Sequence, residues 1–162
     1  MTDASAQTRF YDTLPRTFNE HGFTYVAYDF GGFVRLANRD RRWIGVDQMN
    51  RDGTVRGGGA TIERNNRDQM EQLARTIVNN AFTPAERQRL RGSRLRLTFY
   101  SNSQTGVVDD VEFVFLVDSG FATIPVTTYR RIELELKNRI RFVPTAEGRR
   151  RNFLFFNITI DM

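Results

Sequence analysis

The sequence has no cysteine and only one histidine among its 162 residues. The missing cysteines exclude a disulfide framework, a zinc site with thiolate ligands and a thiol nucleophile. The single histidine, His21, excludes a metal site built on several imidazoles and leaves a histidine-based catalytic triad without support. The composition therefore predicts no metal, no cofactor and no enzymatic activity. A small hydrolase using two carboxylates is the least supported alternative, because nothing singles out a pair of acidic residues.

Long apolar stretches are absent as well. The longest, residues 113–117 and 153–156, are far shorter than the ~20 residues that a membrane-spanning helix needs, so no membrane span is predicted. Residues 1–7 have neither the basic start nor the apolar stretch of a signal peptide. Two alternatives follow: the protein stays in the compartment where it is made, or a signal has been removed from it.

Lysine is the third residue type in short supply, since 23 of the 24 basic residues are arginine. With 19 acidic residues the formal net charge is +5. The planar guanidinium group of arginine binds phosphate or carboxylate through two parallel hydrogen bonds, which lysine does not do. The arginine excess therefore favours partners that carry phosphates, with the codon usage of the source genome as the alternative explanation.

The length suits one domain, and the order of patterns predicts a single α+β domain over residues 1–162. We expect an antiparallel sheet packed by two amphipathic helices, with an N-terminal hairpin region and a C-terminal β-β-α-β unit. The expected parts are an N-terminal helix with hairpins over residues 1–64, helices over 66–91, and the β-β-α-β unit over 94–162.

The N-terminal part contains one strong hairpin signal. Two β-rich runs, Phe23–Phe30 and Phe33–Asn38, flank the turn dipeptide Gly31-Gly32, which predicts pairing of Phe30 with Phe33. The spacing of Phe10, Leu14 and Phe18 indicates a short helix before this hairpin. Two further strands are expected after it, over residues 42–48 and 54–63, the second broken by three consecutive glycines.

The helices and strands after residue 64 are easier to predict, because their apolar periodicity continues over more residues. Helical periodicity covers residues 66–81 and 125–141, and Thr83-Pro84-Ala85-Glu86 is a helix-start signal with threonine as N-cap. Alternating apolar residues predict strands over residues 94–100 and 107–117, and a run that is apolar on both faces predicts a closing strand over residues 152–160. The acidic residues Asp109, Asp110 and Glu112 are interpreted as a polar strand end, with a calcium or acid–base site as the alternative.

Residues 95–160 resemble the C-terminal domain of TonB-type periplasmic proteins. The resemblance rests on two alternating strands, a turn glycine, a helical stripe and a closing strand, namely Leu95-x-Leu97-x-Phe99, Gly106, Val108-x-x-Val111-x-Phe113, Ile132 with Leu136 and Ile140, Phe142-x-Pro144, and Asn152–Ile160. It implies a module without a cofactor that binds an extended partner segment at a sheet edge. It also implies a periplasmic or secreted protein, if a signal was removed.

The closing strand carries the first functional hypothesis. It is apolar on both faces, which is typical of a strand that is central, covered or in contact with a partner subunit. We therefore predict a non-enzymatic interaction module that pairs this strand or a sheet edge with a peptide or with another copy of the chain. The predicted binding residues are Phe153, Phe155, Asn157 and Ile158.

The arginine clusters carry the alternative hypothesis, a nucleic-acid-binding or virion-type assembly protein that contacts phosphates. Arg94 and Arg96 would project from one face of a strand about 7 Å apart, close to the spacing of successive phosphates along a strand. The other predicted anion-binding residues are Arg149, Arg150, Arg151, Arg41 and Arg42. A solvated basic surface with no ligand is the competing interpretation.

Overall fold

The computed structural model describes residues 7–162, which form six strands and four α-helices. The predicted fold class, α+β with an antiparallel sheet, is confirmed. The strands are β1 Arg16–Glu20, β2 Phe23–Phe30, β3 Phe33–Asn38, β4 Arg94–Asn102, β5 Val108–Leu116 and β6 Phe153–Asp161. The helices are α1 Arg64–Asn80, α2 Pro84–Leu90, α3 Val126–Arg139 and α4 Ala146–Arg150, with a 3-10 turn at Gly120–Thr123.

All six strands belong to one sheet with the order β1-β2-β3-β5-β4-β6, and every neighbouring pair is antiparallel. Side chains alternate between the two faces of a strand. One face carries the buried apolar residues of the core, which pack with buried residues of α1 and α3. We call the other side the open face. Strands β1 and β6 form the two edges of the sheet.

The predicted hairpin is confirmed in its bounds and in its register. Phe30 pairs with Phe33 and Tyr28 with Arg35 across β2 and β3. Gly31 and Gly32 both have positive φ angles, +59° and +86°, which is the conformation that a two-residue turn of this kind requires.

The three helices predicted after residue 64 are confirmed as α1, α2 and α3, with bounds that differ by up to two residues, whereas α4 was not predicted. At α2, the Thr83 hydroxyl accepts a hydrogen bond from the Glu86 N–H and the Glu86 carboxylate accepts one from the Thr83 N–H, as the capping box predicts. Helix α1 begins at Arg64, two residues before the predicted start. The predicted N-cap, Asn66, instead bonds the backbone of the segment after α3, through the Arg141 carbonyl and the Val143 N–H.

The predicted N-terminal helix is wrong, because residues 16–20 form strand β1. This strand pairs with β2 from Arg16 opposite Ala27 to Glu20 opposite Phe23. Its central residue Phe18 lies on the core face and is buried. Local spacing favoured a helix. In the strand, however, the Phe18 side chain is buried in the core and the backbone groups are hydrogen-bonded to β2, so the apolar side chain and the polar backbone are both satisfied.

The two strands predicted between β3 and α1 are wrong as well. Residues 39–63 run as an irregular segment with two isolated bridges, Asn50 to Arg151 and Ile62 to Pro144. Near its start, the buried carboxylate of Asp110 accepts hydrogen bonds from three successive backbone N–H groups, those of residues 42–44. Those N–H groups are therefore unavailable to a strand ladder. Asp110 anchors this segment together with Asp109, whose carboxylate accepts a hydrogen bond from the Trp43 indole N–H.

The sequence predicts no membrane-spanning segment and no signal peptide. Within residues 7–162, no helix has the length and apolar character that crossing a membrane would require. Residues 1–6, on which the signal-peptide expectation mostly rests, lie outside the described part of the chain.

A buried acidic residue links the sheet to α3. Glu133 is 1% exposed and accepts hydrogen bonds or ion pairs from the hydroxyl of Tyr25, the guanidinium of Arg130 and the ammonium of Lys137. Burial alone would raise the pKa of Glu133, but the hydrogen bonds from Lys137, Tyr25 and Arg130 outweigh it and lower the pKa. The charged carboxylate is thus the form that the fold stabilises.

Replacing Glu133 with glutamine should reduce the free energy of unfolding at pH 7 by about 2 kcal/mol, since hydrogen bonds to a charged group are lost. Because the folded-state pKa is lowered, the stabilisation by Glu133 exists above about pH 4.3, the ordinary value for glutamate, and disappears as the pH falls through the folded-state pKa. In urea unfolding at a series of acidic pH values, the free energy of unfolding should therefore fall less steeply with decreasing pH for Glu133→Gln than for the wild type. Glu135→Gln, which removes an exposed pair with Arg139, is the control and should match the wild type.

Candidate binding site on the open sheet face

Strand β6, the predicted binding strand, lies at one edge of the sheet, paired with β4 on its inner side. The structure separates the four predicted residues. Phe153 is buried under the Trp43 ring, with 5.1 Å between ring centroids, and Ile158 is buried in the core. Phe155 is 39% exposed and Asn157 is exposed, both on the open face.

The backbone of β6 offers hydrogen-bonding groups at this edge. Met162 exchanges hydrogen bonds with the backbone of residues 92 and 93, so the even-numbered residues of β6 pair with β4 and the odd-numbered residues turn outward. Two of the outward carbonyls are already occupied. The Phe153 carbonyl accepts a bond from Gln48, and the Thr159 carbonyl accepts one from Arg75, each at 2.8 Å.

Between these two contacts lies the part of β6 that we call the open edge segment, residues 155–157. The outward N–H and C=O groups of Phe155 and Asn157 make no hydrogen bond to residues 7–162. Four backbone groups therefore remain accessible to an extended chain. Side chains on either side limit such a chain to a short stretch, which is how edge strands are commonly protected against aggregation.

Beside β6, the open face contains a half-enclosed groove. Its larger part is a cavity of about 340 Å³ lined mainly by apolar residues and two arginines, namely Phe30, Phe33, Arg94, Arg96, Val114, Phe115, Leu116 and Thr159. A neighbouring cavity of about 230 Å³ shares Phe30, Arg96 and Val114 with it and extends to Phe155. Phe30 and Leu116 are unusually exposed for apolar residues, at 66% and 45%.

The charges around the groove are mostly paired. Arg35 binds both carboxylate oxygens of the buried Glu112, at 3.0 and 2.9 Å. Arg94 pairs with Asp161 at 2.7 Å, although both side chains are largely exposed, so this pair contributes little to stability. Arg96 has no carboxylate within ion-pair distance among residues 7–162. The groove thus has one uncompensated positive charge.

The phenol of Tyr100, which lines the groove, is not ionised at neutral pH. Burial, reinforced by the negative charge of Glu112, raises the pKa of Tyr100 to about 12. Its phenol is therefore neutral. In the part of the chain that the structure describes, no group of three or more acidic or histidine side chains is placed to hold a metal ion.

Of the other predicted arginines, only Arg41 lies next to the groove, in a cavity that shares Phe30, Arg35 and Glu112 with it. Arg41 and Arg42 lie in the segment after β3, where their guanidinium groups stack at 5.9 Å over Tyr28 and 4.7 Å over Trp43. Arg149 and Arg150, the last two residues of α4, face solvent, whereas Arg151, which follows the helix, is buried. The arginine set therefore divides among three elements, and Arg151 is part of the fold.

Sequence reasoning identified Phe155, Asn157, Arg94 and Arg96 but missed the β2–β3 side of the groove. Phe30 and Phe33 could have been identified from the sequence, because the predicted hairpin register already placed them opposite each other. The signal was an apolar pair next to Arg35 on a face that should otherwise be polar. Val114 and Leu116 gave a similar signal, because they interrupt the polar alternation of β5 within the apolar run 113–117.

Fold and groove together define an α+β protein whose antiparallel sheet has helices against one face and a mostly open second face. Residues 7–158 match a family described as a domain of unknown function, DUF5043, and the chain belongs to that family. It is similar to a solved DUF5043 family protein from Bacteroides uniformis ATCC 8492, with 30% sequence identity and a TM-score of 0.81. That similarity covers 90% of this chain and 89% of the other. No curated protein matches the chain. The resemblance of residues 95–160 to TonB-type domains is not addressed by these comparisons and stays a prediction.

Proposed function

We propose that the protein is a non-enzymatic binding module that adds a short extended segment of a partner protein to the edge of its sheet at β6. The observation that carries this proposal is the open edge segment, where the outward backbone groups of Phe155 and Asn157 have no partner among residues 7–162. Strand addition uses such groups for affinity and the flanking side-chain positions for specificity.

The geometry supports a short partner segment with a defined position. Gln48 and Arg75 occupy the carbonyls on either side, so a partner strand has room for the hydrogen bonds of two β6 residues. Each such bond contributes about 1 kcal/mol net, which by itself gives weak binding. The half-exposed ring of Phe155, packed edge-on against Tyr100 at 5.5 Å, provides an apolar contact for a partner side chain.

A peptide selection with backbone variants tests the proposal. Random dodecapeptides displayed on phage are selected against the wild-type protein, and the enriched peptides are then measured by calorimetry. Asn157→Pro removes the outward N–H of an edge residue without removing a bond to β4, so binding should fall about fivefold, the factor that corresponds to the loss of one bond of about 1 kcal/mol. Asn157→Ala keeps the backbone donor and should bind as the wild type does.

Hydrogen exchange provides a second readout. Addition of a selected peptide should slow exchange of the Phe155 and Asn157 amide protons, while that of the Phe156 amide, which faces β4, should not change. Equal peptide binding by the proline and alanine variants would refute the proposal. Failure to enrich any peptide, together with a mass twice that of the chain in light scattering, would replace the partner peptide with a second copy.

A further inference from the structure

The second candidate site is the groove beside β6, which differs from the open edge segment in its chemistry. Its floor is apolar, formed by Val114 and Leu116, and the rings of Phe30 and Phe33 form one wall. A cavity of about 340 Å³ falls in the range of small-molecule sites, about 300–1,000 Å³. Such a site is typically apolar with a few polar groups that orient the ligand.

The polar group here is the guanidinium of Arg96, which lines both parts of the groove. At one end the positive charge of Arg94 is matched by Asp161, and at the other that of Arg35 is matched by Glu112. Of these three arginines, only Arg96 lacks an acidic partner among residues 7–162. These three arginines and two carboxylates together give the groove a net charge of +1, which is complementary to a single anionic group.

We infer that the groove binds a small organic anion, in which one carboxylate, sulfate or phosphate group on an apolar body pairs with Arg96. A guanidinium group matches such oxyanions with two parallel hydrogen bonds. The apolar body would lie over Val114 and Leu116 and against the exposed rings of Phe30 and Phe33. This binding goes beyond the proposed strand addition, since it uses side chains of the open face and none of the backbone groups of β6.

Fluorescence titration with 2-naphthoate, an aromatic ring system that carries one carboxylate, tests the inference. The wild-type protein should bind 2-naphthoate saturably in or below the millimolar range and bind the uncharged 2-naphthamide at least about tenfold more weakly, a factor that corresponds to 1.4 kcal/mol. Arg96→Gln should lose this preference for the anion. Arg149→Gln, which removes an arginine of α4 away from the groove, should retain it.

A second pair of variants keeps the test valid if Arg96→Gln disturbs the strand. Leu116→Glu places a carboxylate in the groove and should abolish 2-naphthoate binding, while Leu116→Gln, with the same shape and no charge, should keep most of it. Equal affinity for acid and amide, or unchanged binding by Arg96→Gln and Leu116→Glu, would overturn the inference, as would the absence of saturable binding. Asn157→Pro should not affect 2-naphthoate, so this result is independent of the peptide experiment.

Discussion

Replacing Gly106 with alanine should lower the free energy of unfolding by about 4 kcal/mol or more, a loss at the upper end for single substitutions. Gly106 lies in the turn between β4 and β5, and the backbone of residue 142 passes directly over it. A Cβ atom on Gly106 would lie 1.6 Å from the carbonyl oxygen of Phe142, a distance that no side chain occupies. Phe142 also donates its N–H to the Gly106 carbonyl, so a shift that relieves the clash breaks this hydrogen bond.

Gly92→Ala is the matched control for this prediction. Gly92 has nearly the same backbone conformation, with φ of +74° against +71° for Gly106, but a Cβ there would meet nothing within 4 Å. It should therefore cost only the strain of a left-handed alanine, about 1–2 kcal/mol. Urea unfolding followed by circular dichroism measures both. Similar losses in the two variants would mean that the close approach to Phe142 is unimportant.

Replacing Arg151 with glutamine should have the second large effect, a loss of about 3 kcal/mol in the free energy of unfolding. The Arg151 side chain is 2% exposed and joins three parts of the chain. Its guanidinium donates to the side-chain oxygen of Asn50 and to the Gly57 carbonyl, and pairs with Glu147, each at 2.7 Å. Without it, two acceptors in the irregular segment lose their donor, and the Glu147 carboxylate loses an ion pair.

Arg150→Gln is the control, because Arg150 is the adjacent residue and makes only an exposed contact with Glu147. It should change stability by no more than about 0.5 kcal/mol. Equal losses in thermal unfolding would contradict a structural role for Arg151. The comparison also bears on the nucleic-acid alternative. Because replacing Arg151 destabilises the fold, a substitution test of anion binding at this cluster should change only Arg149 and Arg150.

Much of the secondary structure could be predicted because the apolar period of each element records which face is buried. The alternation in residues 94–100 and 107–117 predicted β4 and β5, and the stripe through Ile132 and Leu136 predicted α3. Local signals also predicted the capping box at Thr83 and the β2–β3 register. These features depend on neighbours within a few positions along the chain, which the sequence displays directly.

The irregular segment between β3 and α1 could not be predicted for a physical reason that Asp110 illustrates. Its carboxylate, on β5, accepts bonds from the backbone of residues 42–44, nearly seventy positions earlier in the chain. No local pattern records such a contact. The same holds for Arg151, whose neighbours suggested a solvated basic run until residues 50 and 57 were brought over it.

The candidate sites likewise combine features that the sequence predicts with features that depend on long-range contacts. The sequence determined by itself that β6 has an apolar character on both faces, that Phe155 and Asn157 share one of them, and that Arg94 and Arg96 share a face of β4, because alternation along a strand is a local property. Only the tertiary structure decided that β6 is an edge, that Gln48 and Arg75 limit its open part, and that Phe30, Phe33 and Leu116 form a groove around Arg96. Strand order and ion pairing join residues far apart in the chain, and they depend on the geometry of the whole sheet.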